Sequence, residues 1–237
     1  MSREYRAGIL DWDDCLVETR KPKYAHHIHV ADKRFGFKLD PSVMDKHWGT
    51  GLRAELPHFY GKPDATPAEV DQMIEAMRAT AHLFPKPFQS DIEAFIKPLD
   101  EAGILRGIVT SHLTPIAIEE MRTARLAGSD FTLDPDSFLF IQGSDVTPAL
   151  KPDPAVFAEA LPILEARGIG PESIFYVGDD LRDGLAAYAA GLAFIGVATG
   201  VTSVEEFRDN HFYAVPRLAQ VPPIVLGGEV DLHALAA

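Results

Sequence analysis

Three aspartates stand close together where a short apolar segment ends, in AGILDWDDCLVET (7–19). Asp11, Asp13 and Asp14 carry like charges that repel one another. Burying such carboxylates without a counter-charge costs about 2 to 7 kcal/mol or more. We therefore expect a positively charged partner beside them.

Other polar residues follow apolar segments in the same way, and ligands of an open parallel sheet bind beyond the carboxyl ends of its strands. The candidates are Asp11 and Asp13 after the first segment, Thr110 and Ser111 after the second, Asp179 and Asp180 after the fourth with Asp183 one helical turn on, and Lys151 in LKPDP. A single ammonium cannot neutralise so many carboxylates, whereas a hard divalent cation with oxygen ligands can, and magnesium fits this role. The pattern predicts a magnesium site.

The elements that must position these residues are short, continuously apolar segments, which are typical of strands covered on both faces. They are AGIL (7–10), RGIVT (106–110), FLFIQ (138–142), IFYVG (174–178) and AFIGV (193–197). Helical patterns alternate with them at 90–103, 114–128, 153–168 and 181–191. This alternation indicates an α/β protein with a doubly wound parallel sheet.

One region breaks the alternation, because 21–87 contains helical patterns but no convincing strand. Within 66–84, Thr66 offers an amino-terminal cap, Pro67 the first helical residue and Glu69 the partner of a capping box. We therefore predict a helical insert at 19–89, between two parts of the sheet domain at 1–18 and 90–237.

Four motifs resemble those of the haloacid dehalogenase superfamily, in the family's order and spacing. ILDWDDCLVET resembles the first motif, IVTSH the second, LKPDPAVF the third and VGDDLRDGLAAYAAGL the fourth. The resemblance covers nearly the whole chain. It implies a Rossmann-like core with an inserted α-helical cap, as in phosphoglycolate phosphatases and β-phosphoglucomutases.

The resemblance also implies roles for single residues. Asp11 would be the nucleophile that forms an aspartyl-phosphate. Asp13 would protonate the leaving oxygen and later activate water. Thr110 and Lys151 would hold the phosphoryl oxygens, with Ser111 beside them as a further substrate-binding residue.

The cofactor implied is Mg²⁺. Its ligands would be the Asp11 carboxylate, the Asp13 backbone carbonyl and Asp179, while Asp183 would act directly or through water. The metal and Lys151 would stabilise the charge that builds on the transferring phosphoryl group.

Asp13 favours phosphate esters over halides, because the haloacid dehalogenases act on carbon and do not need an acid at that position. We therefore expect a phosphatase acting on a small phosphorylated metabolite, over which the cap closes. Arg53, in HWGTGLR (47–53), is a candidate contact for a remote group of the substrate, although a surface arginine without such a contact is at least as good an interpretation. A phosphomutase and a non-catalytic regulatory or binding protein on the same fold remain alternatives.

The two residues after Asp13 depart from the family's pattern. Asp14 and Cys15 stand where relatives usually have Gly-Thr, so that Asp14 either faces solvent or alters substrate preference. Cys15 is interpreted as a packing residue, because neighbouring carboxylates should raise the pKa of its thiol. The histidines of HHIH (26–29) are interpreted as an exposed polar surface rather than a metal cluster.

Composition limits the classes of partner that the protein can have. The chain has 237 residues and a formal charge of -13, which argues against nucleic acid or an anionic membrane as the main partner. A single cysteine excludes an intrachain disulfide, and no apolar segment is long enough to span a membrane. We expect a cytoplasmic protein, and the oligomeric state is left open.

Overall fold

Six parallel strands form one sheet in the computed structural model, which describes residues 4–47, 52–227 and 232. The strands are β1 (Ala7–Leu10), β2 (Leu105–Val109), β3 (Phe140–Gln142), β4 (Ile174–Gly178), β5 (Ala193–Val197) and β6 (Ala214–Val215), in the order β3-β2-β1-β4-β5-β6. β1 lies in the middle and pairs with both β2 and β4. The predicted doubly wound parallel sheet is confirmed, and β6 was missed because two residues carry no recognisable pattern.

Ten α-helices are present in the residues that the structure describes. They are α1 (Arg20–Phe35), α2 (Pro41–His47), α3 (Leu52–Phe59), α4 (Pro67–Thr80), α5 (Ile92–Glu101), α6 (Thr114–Thr123), α7 (Ala160–Glu165), α8 (Leu181–Ala189), α9 (Val204–Asp209) and α10 (Val221–Gly227). None of the described helices has both the length and the apolar character that crossing a bilayer requires.

Both faces of the sheet are buried. Neighbouring residues of a strand point to opposite faces, and they enter different apolar clusters: Leu10 and Phe175 belong to one cluster, Ile9 and Tyr176 to the other. The strands are therefore continuously apolar because both of their faces are buried, as predicted.

Two predicted helices are shorter than their patterns. The pattern at 153–168 splits into a 3-10 turn, Pro154–Phe157, and α7. Pro162 causes the break, because it has no N–H to donate and its ring would clash with the carbonyl of the residue four positions earlier in a continuous helix. α6 ends at Thr123, and the Arg125 carbonyl instead accepts a hydrogen bond from the backbone N of Phe88 (3.0 Å).

The chain divides into two compact units, Met1–Glu18 with Pro87–Ala237, and Thr19–Lys86. The described part of the second unit is helical, with α1 to α4 around a small apolar core. The predicted cap at Thr66 is confirmed, because its hydroxyl accepts from the N–H of Glu69 and the Glu69 carboxylate accepts from the N–H of Thr66.

The interpretation of HHIH as an exposed surface is wrong for two of its histidines. His26 is 6% and His27 1% exposed. His26 Nε2 lies 2.8 Å from the Thr80 hydroxyl and His27 Nδ1 3.2 Å from the Tyr60 hydroxyl. Hydrogen-bond partners in α4 and directly after α3 allow the rings to be buried, which the local sequence does not reveal.

Candidate active site

The ends of three neighbouring strands bring the predicted residues to one edge of the sheet. Asp11 follows β1, Thr110 follows β2 and Asp179 follows β4. The backbone N of Asp11 donates to the Val177 carbonyl (2.9 Å), which extends the pairing of β1 and β4 by one residue. Because the strand order reverses at β1, this edge is where a parallel sheet opens a crevice.

Three buried carboxylates meet at this edge. Oxygen atoms of Asp11, Asp179 and Asp183 all lie within 4.8 Å of one another. Their residues are 6%, 8% and 2% exposed, so water screens their mutual repulsion poorly.

Lys151 supplies the positive partner. Its Nζ lies 2.6 Å from Asp11 Oδ1 and 2.6 Å from Asp183 Oδ1, so that one ammonium bridges two carboxylates. The same Nζ lies 5.3 Å from the centroid of the Tyr176 ring, a cation–π distance. Burial alone would lower the pKa of Lys151, but Asp11 and Asp183 hold that pKa well above its usual value.

Asp11 and Asp179 hold protons more tightly than free aspartates. Burial raises the pKa of Asp11 to about 7, against the opposing effect of Lys151. Burial also raises the pKa of Asp179 well above its usual value, and the nearby charges of Asp11 and Asp183 add to the shift. Without a further cation, the cluster is therefore short of positive charge.

The start of α8 fixes the direction of Asp183. Its Oδ2 accepts from the backbone N of Asp180 (3.2 Å), while the Asp180 carboxylate accepts from the N–H of Arg182 (2.8 Å). Asp180 is thus the amino-terminal cap of the helix. The Tyr176 hydroxyl has the Val109 carbonyl (3.2 Å) and Asp183 Oδ1 (3.3 Å) as alternative acceptors.

Two glycines leave room for these carboxylates. A Cβ on Gly178 would overlap the Asp183 carboxylate, and a Cβ on Gly200 would overlap that of Asp179. Any larger residue would push the acidic groups out of their positions. Gly200, in the loop after β5, was not predicted as a site residue.

Asp13 belongs to a second group of possible metal ligands at this edge, together with His112 and Glu120. His112 Nε2 lies 2.9 Å from Asp13 Oδ2, and Glu120 Oε1 lies 4.0 Å from the same nitrogen. Asp13 is still close enough to Asp11 to contribute to the raised pKa of that residue. Sequence reasoning missed His112, although it directly follows Ser111 in IVTSH, and it had no signal for Glu120.

Thr110 and Ser111 line a small pocket together with Lys151. Thr110 is buried, and its hydroxyl accepts from the backbone N of His112 (3.2 Å). Ser111 is exposed. Both residues therefore reach the same edge as the acidic cluster.

The two unusual residues after Asp13 have different environments. Asp14 adopts a left-handed backbone conformation (φ 52°) and contributes to the raised pKa of Asp179, so its charge acts on the cluster. Cys15 is fully buried, and burial followed by the charge of Asp11 raises the pKa of its thiol well above the usual value. Packing is thus the role that its environment supports.

Arg53 belongs to the helical unit and lies in α3, where its Nη1 is 2.8 Å from Asp71 Oδ1. Residues 48–51 of the predicted HWGTGLR loop lie outside the described residues. A contact between Arg53 and a substrate stays a prediction.

The donor set fits magnesium. Asp11, Asp179 and Asp183 offer carboxylate oxygens within one small volume, and Lys151 brings one positive charge to three carboxylates. A divalent cation would supply the two charges that remain, and oxygen atoms are the ligands that magnesium prefers. Asp11 and Asp179 would hold it most directly, since Asp183 Oδ1 already pairs with Lys151 and Asp183 Oδ2 accepts from the N–H of Asp180.

Known proteins resemble this chain in sequence and in fold. A family model described as haloacid dehalogenase-like hydrolase matches residues 9–197. A phosphoglycolate phosphatase of Neisseria gonorrhoeae is 32% identical, over 82% of this chain and 80% of its own length. Another, of Chromobacterium violaceum, is 28% identical over 84% of this chain and 87% of its own. Among solved structures, CbbY from Rhodobacter sphaeroides in complex with phosphate has a TM-score of 0.71 at 22% identity, over 94% of this chain and 98% of that one.

Proposed function

The chain belongs to the haloacid dehalogenase-like hydrolase family and is a phosphatase, and from this premise we propose that it hydrolyses a small phosphate monoester through an aspartyl-phosphate at Asp11, with Mg²⁺ as cofactor. The observation that carries the proposal is the contact of Lys151 with Asp11 (2.6 Å) inside a buried acidic cluster. Such a site keeps a carboxylate close to a cation and away from bulk water, as attack on a phosphoryl group requires.

In the first step, an Asp11 oxygen attacks phosphorus and the bond from phosphorus to the ester oxygen breaks. Asp13 gives its proton to that oxygen, so that the product leaves as an alcohol. Lys151 and Thr110 bind the phosphoryl oxygens while charge spreads over them.

In the second step, water attacks the phosphorus of the aspartyl-phosphate. The Asp13 carboxylate takes a proton from this water, and the bond between phosphorus and the Asp11 oxygen breaks. Inorganic phosphate leaves, and Asp11 returns to its carboxylate form. Dividing one displacement into two easier ones is the benefit of covalent catalysis.

Asp11, Asp179 and the Asp13 carbonyl would hold Mg²⁺, with Asp183 near it. When bound, the ion would neutralise the clustered carboxylates and stabilise the charge of the transferring phosphoryl group.

The substrate class follows from the relatives. Because relatives over most of the chain are phosphoglycolate phosphatases, 2-phosphoglycolate is the first compound to test. We propose that the reaction takes place in the cytoplasm with a phosphorylated metabolite, and that Thr19–Lys86 acts as the cap with Arg53 as a substrate contact.

The test combines turnover and product analysis on a panel of phosphorylated metabolites and p-nitrophenyl phosphate. We expect equal amounts of alcohol and inorganic phosphate from wild type, a loss of at least about 10³-fold in Asp11→Asn, and unchanged activity in Asp209→Asn, an exposed control on α9. EDTA should stop the reaction and added Mg²⁺ restore it. Retained activity in Asp11→Asn, or transfer of the phosphoryl group within a sugar phosphate without net release, would contradict the proposal.

A further inference from the structure

His112 meets the side chain that the mechanism uses for proton transfer. Its Nε2 lies 2.9 Å from Oδ2 of Asp13, a hydrogen-bond distance, and the two side chains are 20% and 27% exposed. An ionised carboxylate can only accept, so Nε2 donates to Oδ2 when Asp13 is ionised, and the contact sets the rotation of the Asp13 carboxylate. His112 itself lies at the end of a strand next to Thr110 and Ser111, at the same edge as the acidic cluster.

The backbone around His112 is held on both sides. Its N–H donates to the Thr110 hydroxyl (3.2 Å), and its carbonyl accepts from the backbone N of Ser144 (2.7 Å). A Cβ on Gly143 would overlap the His112 carbonyl, so the loop after β3 can pass this close only with glycine there. The backbone that carries the imidazole ring is therefore held by Thr110 and by the loop after β3.

Glu120 connects the same group to the residue before Asp13. Its Oε1 lies 4.0 Å from His112 Nε2, and its Oε2 accepts from the indole N–H of Trp12 (2.9 Å). Trp12 is fully buried and immediately precedes Asp13. Two consecutive residues of the loop after β1 are thus attached to α6 and the loop before it.

We propose that His112 is a positioning residue that orients the Asp13 carboxylate for proton transfer, with Glu120 as its support. The inference rests on the proposed function, since it assigns Asp13 the role of acid and base. His112 touches Asp13 and has no part in the bond changes at phosphorus. A proton donor acts efficiently only when it is held within hydrogen-bond reach of the leaving oxygen, so losing the orientation slows the step that needs the proton.

Leaving groups separate this role from a structural one. p-Nitrophenolate leaves readily without a proton, whereas an alkoxide needs one. In single-turnover reactions with excess enzyme, we expect His112→Ala to slow cleavage of the best alkyl phosphate from the metabolite panel about 10-fold more than cleavage of p-nitrophenyl phosphate. The KM for both should change less than about twofold, because Asp13 is not a binding group for the phosphoryl oxygens.

Conservative variants complete the test. His112→Gln keeps an N–H near the position of Nε2 and should recover the alkyl phosphate rate to within about threefold of wild type. Glu120→Gln still accepts from Trp12 but loses its charge, and its rate of alkyl phosphate cleavage should lie between those of wild type and His112→Ala. Glu119 is its exposed neighbour, and Glu119→Gln should cleave the alkyl phosphate at the wild-type rate. Thermal melts of each variant check that the fold is retained.

If a folded His112→Ala variant lost the same factor in cleavage rate for both esters, or lost none, the positioning role would be overturned. The phosphatase activity of wild type would not be affected by that result. A wild-type protein that releases no phosphate from any compound would instead overturn the proposed function itself.

Discussion

Replacing Lys151 with methionine tests the electrostatics of the site most directly. The substitution keeps an unbranched side chain and removes the ammonium that lies 2.6 Å from both Asp11 and Asp183. Those two side chains are 8% and 2% exposed, so water cannot replace the lost partner. Removing one member of a buried ion pair costs about 3 to 5 kcal/mol, and with two carboxylates left unpaired we expect the upper end, about 5 kcal/mol, at pH 7.5 without metal.

The variant's loss of unfolding free energy should be smaller at lower pH. Lys151 lowers the pKa of Asp11, so in the variant that pKa rises above about 7. At pH 5 Asp11 then carries a proton in both proteins and no longer needs the ammonium, so the loss of unfolding free energy should be smaller at pH 5 than at pH 7.5.

Urea unfolding followed by circular dichroism, in EDTA at both pH values, measures these free energies. Lys97→Met is the matched control, because Lys97 also forms an ion pair (Nζ to Glu93 Oε1, 2.5 Å) but on the surface, where its side chain is 62% exposed. Solvent screening should make its effect too small to resolve. A Lys151→Met protein as stable as wild type at pH 7.5, or equally destabilised at both pH values, would refute the reasoning.

Two further predictions concern the metal. Burial raises the pKa of Asp11 from 3.8 to about 7, so the stability of the metal-free protein should fall, by on the order of 4 kcal/mol, as pH rises from about 4 through about 7. Mg²⁺ should accordingly raise the Tm more at pH 8 than at pH 5. An equal increase in Tm at both pH values would argue against a metal at this cluster. Gly200→Ala should raise the Mg²⁺ concentration for half-maximal activity about 10- to 100-fold, because the added Cβ would overlap the Asp179 carboxylate, whereas Gly227→Ala, with open space around its Cβ position, should leave that concentration unchanged.

The sequence by itself determined the parts of this protein whose causes are local. β1, β4 and β5 have the bounds that their apolar segments predicted, because a strand buried on both faces needs a continuous run of apolar residues. Thr66 caps α4 because its partner Glu69 lies only three residues away. The meeting of Asp11, Asp179 and Lys151 was also within reach, since parallel strands of one sheet end at the same edge.

Tertiary structure alone decided which side chains share a partner at that edge. Lys151 bridges Asp11 to Asp183, and Asp13 contacts His112, although the partners are separated by tens of residues or more. The burial of His26 and His27 likewise depends on hydroxyl groups that lie tens of residues away in the chain, those of Thr80 and Tyr60. Such contacts depend on the distance and direction between elements that are remote in the chain, and no local pattern of residue types encodes these quantities.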